Sequence, residues 1–470
     1  MTFNSIPFAV FLAVVLGLYW AMSHRWQNRL LLVASYFFYG TWDYRFLTLI
    51  FITTAIDFWA GRELMATDDE TRRKRLLFVS MTANIGMLAV FKYFGFFVDS
   101  AIEFLNWFGL EPNPPLLEIL LPIGISFYTF QSMSYTIDVY RRRMEASKDF
   151  FNFATFVAYF PHLVAGPIQV AKWLLPQIEN PRTKPDREKI RSALFLILLG
   201  LFKKVAIGDA VASIADKAFA SSGTAGSATL ALGAVAFALQ IYGDFAGYSD
   251  IARGTSRLFG IELTRNFEQP YLSRSITEFW RTWHISLSTW LHDYLYIPLG
   301  GNKSGPSRTY RNLMMTMLLG GLWHGASWTF VVWGGLHGLF LSIHRAAGGY
   351  VPRGQLPALR ARDIPRIVGT FSLVCLLWVF FRSMTLTGAL DYLGGLFSLR
   401  SGPVDPNDVL LLGISILFVV ALDIAQRVSG EHAVVIHWPA VARGASYAIL
   451  LAWIVMWSGG EAKPFIYFQF

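Results

Sequence analysis

The sequence predicts an all-α polytopic membrane protein, and three observations predict it. Charged residues make up only 15% of the 470 residues and hydrophobic ones 54%, whereas a soluble domain carries roughly a quarter of charged residues. Apolar runs recur from end to end, among them Ile6–Met22, Leu76–Phe97, Ile190–Leu201, Thr229–Tyr242, Phe371–Phe381, Val409–Leu422 and Tyr447–Trp457. Alternating ten-residue patterns of an outer-membrane barrel are not evident, so helices must satisfy the backbone in lipid. With flanking semi-polar residues extending the shorter runs toward a span, about ten to twelve crossings are expected.

The first run, Ile6–Met22, has no basic residue before it and no clean small-residue site after it, unlike a cleaved signal. Its positive flank follows at Arg25 and Arg29, which places the N-terminus outside and residues 23–29 inside. The loop Arg62–Arg75, with Arg72, Arg73 and Lys74, is also expected inside. Leu30–Gly61 then crosses twice, turning near Thr41–Tyr44, and both crossings are short enough to imply local thinning.

Three segments are more polar: Lys172–Lys189, Gly254–Ser307 and Ala346–Pro365. The last, with Pro352, Pro357 and Pro365, reads as an exposed connection. Residues 278–302 mix apolar and polar residues at helical spacing, with Phe279, Trp283, Ile285, Leu287, Trp290, Leu291 and Leu295 as an apolar face. An interfacial or re-entrant helix fits that pattern. Leu313–His344 is too long for one straight crossing. Its glycines, Gly320, Gly321, Gly325, Gly334, Gly335 and Gly338, divide it into two helical pieces meeting near Trp323-His324-Gly325. No internal repeat is visible, and the whole chain, 1–470, reads as a single membrane-embedded domain.

The 16 Trp and 19 Tyr are expected at membrane–water interfaces, in keeping with many crossings. Lys and Arg exceed Asp and Glu by 40 to 31, a formal +9. They sit in short loops without a basic stripe or binding motif, so no nucleic acid is expected. Cys375 is the one cysteine; it excludes an intramolecular disulfide and reads as a packed small hydrophobe.

Ionisable residues inside a membrane are costly and usually functional. His24, His432 and His437 lie near polar segments and are given no role. His162, beside Pro161, reads as a structural histidine bonded to a freed carbonyl. His324 has no charged residue near it from Asn312 to His344. It is either a packed histidine or a general base, for which an imidazole has a suitable pKa. His284, near Arg281 and Ser286, either stabilises a developing charge or is an interfacial histidine without a role. His337 and His344 share a helix face, and only a helix break brings them toward His324. No His-x3-His pair or carboxylate cluster supports a metal, so none is expected. A Gly-x-Ser-x-Gly elbow, a P-loop and a dinucleotide fingerprint are also absent.

The segments Arg281-Thr-Trp-His-Ile-Ser-Leu-Ser288 and Gly321-Leu-Trp-His-Gly325 resemble the membrane-bound O-acyltransferase family. Leu121–Gln131, Val164–Ile168, Ile241–Asp250, Asp293–Asn302 and Pro464–Phe470 resemble its bacterial, alginate O-acetyltransferase-like branch. The resemblance covers almost the whole chain. It implies a ring of tilted helices around a thinned centre, with a catalytic tunnel. It implies that His324 is the catalytic histidine and His284 the second active-site position. Asp244, Tyr248, Asp250, Trp323 and Arg281 are candidates to line the tunnel, with helix packing an equal reading for Asp244, Tyr248 and Asp250.

The resemblance further implies a bacterial inner-membrane enzyme without a permanently bound cofactor. Its co-substrate is a cytoplasmic acyl donor such as acetyl-CoA. Its partners are an exported polysaccharide (alginate-like, cellulose or peptidoglycan), a periplasmic acetyltransferase and membrane lipid. Direct transfer without an acyl-enzyme is expected. The competing readings are a polysaccharide or lipid-intermediate transporter and a non-catalytic scaffold of a secretion complex.

Overall fold

The computed structural model describes the chain except for residues 113–118, 165, 304, 350, 352–355, 357, 460–462 and 467–470. Pro352 and Pro357 of the predicted connection, Ala165 of Val164–Ile168 and the last four residues of Pro464–Phe470 lie outside the described residues. Every regular element among the described residues is helical. They group into two compact units, Met1–Asp186 with Thr255–Leu263, and Arg187–Gly254 with Thr264–Phe470.

The first unit contains α1 (Ile6–Tyr19), α2 (His24–Asp43), α3 (Leu47–Ala66), α4 (Glu70–Leu88), α5 (Phe94–Asn106), α6 (Ile125–Tyr140), α7 (Phe150–Ala158), α8 (Phe160–Leu163) and α9 (Ala171–Glu179). Local chemistry fixes several boundaries. Ser5 caps α1 by accepting from the Phe8 N–H at 3.3 Å, with Pro7 in the first turn. The turn expected near Thr41–Tyr44 is the 3₁₀ turn Tyr44–Phe46, started by Asp43 accepting from the Arg45 N–H at 2.9 Å. The flanking α2 and α3 each run 20 residues. Polar residues at both outer ends continue these helices beyond the predicted crossings.

The interior of this unit holds a buried polar cluster. Buried Asp57 on α3 accepts from Ser80, from Asn84 at 2.9 Å and from Thr136 at 3.2 Å. His162 has the structural environment expected of it. Its Nε2–H donates to the Phe156 carbonyl at 3.1 Å, and Nδ1 accepts from Gln131 at 2.8 Å.

The second unit contains α10 (Arg187–Leu201), α11 (Ala210–Ala220), α12 (Ser227–Leu258, its last turn counted with the first unit), α13 (Ile276–Thr282), α14 (Ile285–Leu291), α15 (Pro306–His324), α16 (Trp328–Ala346), α17 (Ile364–Arg382), α18 (Leu386–Phe397), α19 (Pro406–Ser429) and α20 (Ala440–Trp457). A π-helical stretch, Phe202–Asp209, joins α10 to α11. Pro365 lies in the first turn of α17, where its missing N–H costs nothing. It belongs to the helix and not to the connection predicted for it.

The exposed surface is apolar in long stripes. On α1, Ile6, Val10, Val14 and Leu18 are exposed at a spacing that holds one helix face. On α19 the same holds for Leu410, Leu417 and Ile424. Apolar faces of this extent outside, with carboxylates inside, are the distribution that lipid requires of a surface. Among the described residues, five helices are long and apolar enough to cross a membrane: Glu70–Asn106, Ser227–Leu258, Ala361–Arg382, Pro406–Ser429 and Ala440–Trp457. Of these, Ser227–Leu258 is mostly buried in protein, whereas Glu70–Asn106 and Ala440–Trp457 are almost wholly exposed.

Candidate active site

His324 is the last residue of α15, and the following Gly325 is fully extended (φ −158°, ψ 149°). Ser327 then caps α16 by accepting from the Thr329 N–H. The break therefore falls at Trp323-His324-Gly325, where the glycines place it. A Cβ on Gly321 would strike the Phe330 carbonyl, and one on Gly334 the Met317 carbonyl. Only glycine lets the two helix backbones come this close. A Cβ on Gly325 would strike the Phe330 ring. The tight hairpin turns the His324 side chain into the protein, where the residue is 3% exposed.

His284 reaches the same place from a different part of the chain. The helix expected over 278–302 is two short helices, α13 and α14, followed by a π-helical stretch, His292–Tyr296, with His284 between α13 and α14 in the left-handed region (φ 43°, ψ 54°). A side chain rarely adopts that conformation, which costs of order 1–3 kcal/mol and persists only where the surroundings enforce it. Here the surroundings do so. The Ile285 N–H donates to the Asn266 carbonyl at 2.9 Å, Ser286 Oγ–H donates to Asn266 Oδ1 at 2.9 Å, and the His284 ring is fully buried. The two imidazoles lie 6.1 Å apart between ring centres.

Aromatic rings wall this pair. Trp323 lies 5.8 Å from the His284 ring and 5.1 Å from the His324 ring. Trp333 and Phe381 meet His324 edge-on at 5.1 and 5.3 Å, and Phe245 of α12 meets His284 edge-on at 4.6 Å. Trp280, Trp283, Trp323, Trp333 and Trp378 are all buried. The expectation that the tryptophans form interfacial belts is corrected for these five. Their large apolar rings fill the space around the histidines and exclude water.

Sequence reasoning left His337 undecided, and the break at Gly325 brings it in. The ring of His337 lies 4.7 Å from that of Trp333, and the Trp280 Nε1–H donates to His337 Nδ1 at 3.0 Å. The signal was the helix break itself, which removes the half-turn separating 337 from 324.

Arg281 lies on the wall of a cavity of about 610 Å³ within this unit, together with Trp280, Ser288, His292, Asn302 and Arg345. Two arginines against the single carboxylate of Glu268, on a wall that is otherwise largely apolar, can hold an anionic group.

The three polar candidates on α12 have close partners. Asp244 forms an ion pair with Lys204 at 2.7 Å and accepts from the Ile466 N–H at 2.6 Å. Tyr248 packs on Phe465 at 4.4 Å. Asp250 meets Lys203 at 2.8 Å, Arg253 at 3.4 Å and His432 at 3.6 Å, all buried. His432, given no role from sequence, belongs to this buried charge cluster, since Arg253 Nη1 also donates to its Nδ1 at 3.0 Å. Cys375 is buried, as its apolar run implies.

The sequence profile described as MBOAT, the membrane-bound O-acyltransferase family, matches residues 33–387. The chain is 41% identical over 497 aligned positions to a protein of Pseudomonas putida named probable alginate O-acetylase AlgI, with 100% of each chain covered. It is 47% identical over 402 positions to the protein of that name from Pseudomonas aeruginosa, covering 85% of this chain and 75% of the relative. It is 34% identical over 398 positions to the peptidoglycan O-acetyltransferase of Helicobacter pylori, covering 79% and 73%.

Proposed function

The chain belongs to the membrane-bound O-acyltransferase family, and on that premise we propose that it moves an acetyl group from a cytoplasmic donor across the bacterial inner membrane to a hydroxyl on the far side. The donor is an acetyl thioester such as acetyl-CoA. The acceptor is an exported polysaccharide, with alginate favoured over peptidoglycan by the identities of the relatives, or a periplasmic acetyltransferase that passes the group on. The N-terminus faces the periplasm. Helices shorter than a full span cross a thinned centre, giving about ten to twelve crossings of one domain in a ring.

The carrying observation is the meeting of two buried imidazoles, 6.1 Å apart, at a helix break inside a wall of aromatic rings. His324 is the general base. Its neutral imidazole takes the proton from the acceptor hydroxyl as that oxygen attacks the acyl carbon. The new C–O bond forms, the C–S bond breaks, and the proton passes from His324 to the departing thiolate. His284 stands where a donor can hold the oxyanion of the tetrahedral intermediate. Excluding water protects the thioester from hydrolysis and strengthens both interactions. Arg281 and Arg345, on the cavity wall, receive the anionic part of the donor. Trp323 borders both rings.

The test is the acetyl ester content of exported polymers from cells whose only copy carries His324→Ala, with the protein's membrane level measured. Loss of acetyl esters at a normal protein level is expected. Unchanged acetylation would remove His324 from the reaction, and loss of polymer export with normal acetylation of the remainder would make the protein a transporter.

A further inference from the structure

The segment Lys463–Ile466 enters the second unit from its surface: Pro464 is exposed, whereas Phe465 and Ile466 are almost fully buried. Buried irregular backbone needs partners for its polar groups. Here two charged side chains supply them. Lys204 Nζ donates to the Lys463 carbonyl at 3.0 Å, and Asp244 accepts from the Ile466 N–H at 2.6 Å. Lys204 and Asp244 are themselves paired at 2.7 Å, and Lys204 also reaches Asp209 at 2.7 Å.

A buried ion pair is a poor way to gain stability, because desolvating both charges costs several kcal/mol. It is a good way to fix register. The two contacts fall on the backbone at 463 and 466, so they bracket Phe465 whatever the side chains do. The bracketed ring packs on Tyr248 at 4.4 Å and on Phe245 at 5.9 Å. Phe245 in turn meets the His284 ring edge-on at 4.6 Å. His284 is the residue whose left-handed backbone must be enforced from outside.

We propose that Lys463–Ile466 is a positioning strap for His284: the Lys204–Asp244 pair sets its register, and Phe465 acts through Phe245 to hold the imidazole facing His324. Phe465, Phe245, Lys204 and Asp244 are positioning residues, not catalytic ones. Asp244, a candidate for the tunnel wall, is assigned to the strap. The inference rests on the reading of His284 as an active-site group.

The experiment measures transfer from radiolabelled acetyl-CoA to alginate oligomers, using membranes that carry the full chain. Phe465→Leu, Phe245→Leu and the double variant keep apolar volume at both positions. Misplacing a catalytic group by ~1 Å can cost about 10²-fold, so the smaller displacement in Phe465→Leu is expected to lower kcat by about tenfold with the donor KM retained. If Phe465 acts through Phe245, the double variant is no slower than Phe245→Leu alone. Losses that multiply in the double variant, or a Phe465→Leu rate within about twofold of wild type, would overturn the proposal. If Phe465→Leu fails to accumulate in membranes, Phe465→Met carries the same cycle. Full activity in His284→Ala would instead sink the reading of His284 and is scored separately.

Discussion

The imidazoles of His284 and His324 lie 6.1 Å apart, although one stands between two short helices and the other ends a long one. Neither backbone is regular at that point. Both interruptions aim a polar ring into an otherwise aromatic interior, and this shared feature ties the local structure to the chemistry.

The left-handed backbone at position 284 gives the first prediction. Asparagine reaches that region readily and keeps a donor, whereas a β-branched residue does not. His284→Asn should therefore retain the melting temperature in detergent and some transfer activity. His284→Val should lose about 1–3 kcal/mol of stability as well as activity. Equal melting temperatures for the two variants would contradict the strain argument.

A second prediction concerns the hairpin. A methyl group on Gly321 points at the Phe330 carbonyl, which belongs to a helix and cannot step aside. Gly321→Ala should cost about 1–3 kcal/mol and, by prising α15 from α16, slow transfer more than it lowers the amount of protein. Thermal melts and rates on the same preparation check this.

Trp280 and His337 give a third. Trp280→Phe removes the buried N–H that His337 Nδ1 accepts at 3.0 Å. Leaving a buried acceptor unmet costs about 1–3 kcal/mol. A melting temperature unchanged by Trp280→Phe would show that this bond supports nothing.

The cavity wall gives a fourth. Arg281→Ala and Arg345→Ala remove cations from the wall without touching either imidazole's helix break. Each should raise the donor KM by roughly tenfold with kcat nearly unchanged, the pattern of lost ground-state binding. A fall in kcat at constant KM would move these residues from binding to chemistry.

A fifth concerns the buried charge cluster. Asp250 faces Lys203, Arg253 and His432. Asp250→Asn leaves buried cations uncompensated and should cost about 3–5 kcal/mol, seen as loss of folded protein from membranes. Normal accumulation with lost activity would return Asp250 to the candidates for a tunnel wall.

Some of this was legible in the sequence. The break at Gly325 was, because the glycines of Gly321-Leu-Trp-His-Gly325 and of Gly334-Gly335 sit at helical spacing on both sides of it. The interruption at His284 was not. Apolar residues from Phe279 to Leu291 keep a helical period straight through it, and periodicity cannot see one residue of left-handed backbone. The tryptophans misled for a related reason. Composition says that an indole prefers an interface, but Trp283 is buried against Phe267, Phe279 and Trp378, and Trp333 against His324 and His337. His432 was dismissed because its partners, Asp250 and Arg253, stand far away along the sequence.

The reading of His324 as the base rests on one rate. His324→Gln keeps hydrogen-bonding capacity and most of the side-chain volume but cannot take a proton near neutral pH. Membranes carrying that variant, supplied with labelled acetyl-CoA and alginate oligomers, should transfer acetyl about 10²–10⁴ times more slowly than wild type at equal protein and similar donor KM. A rate within about twofold of wild type would contradict the assignment, since an essential base cannot be replaced by an amide at so small a loss.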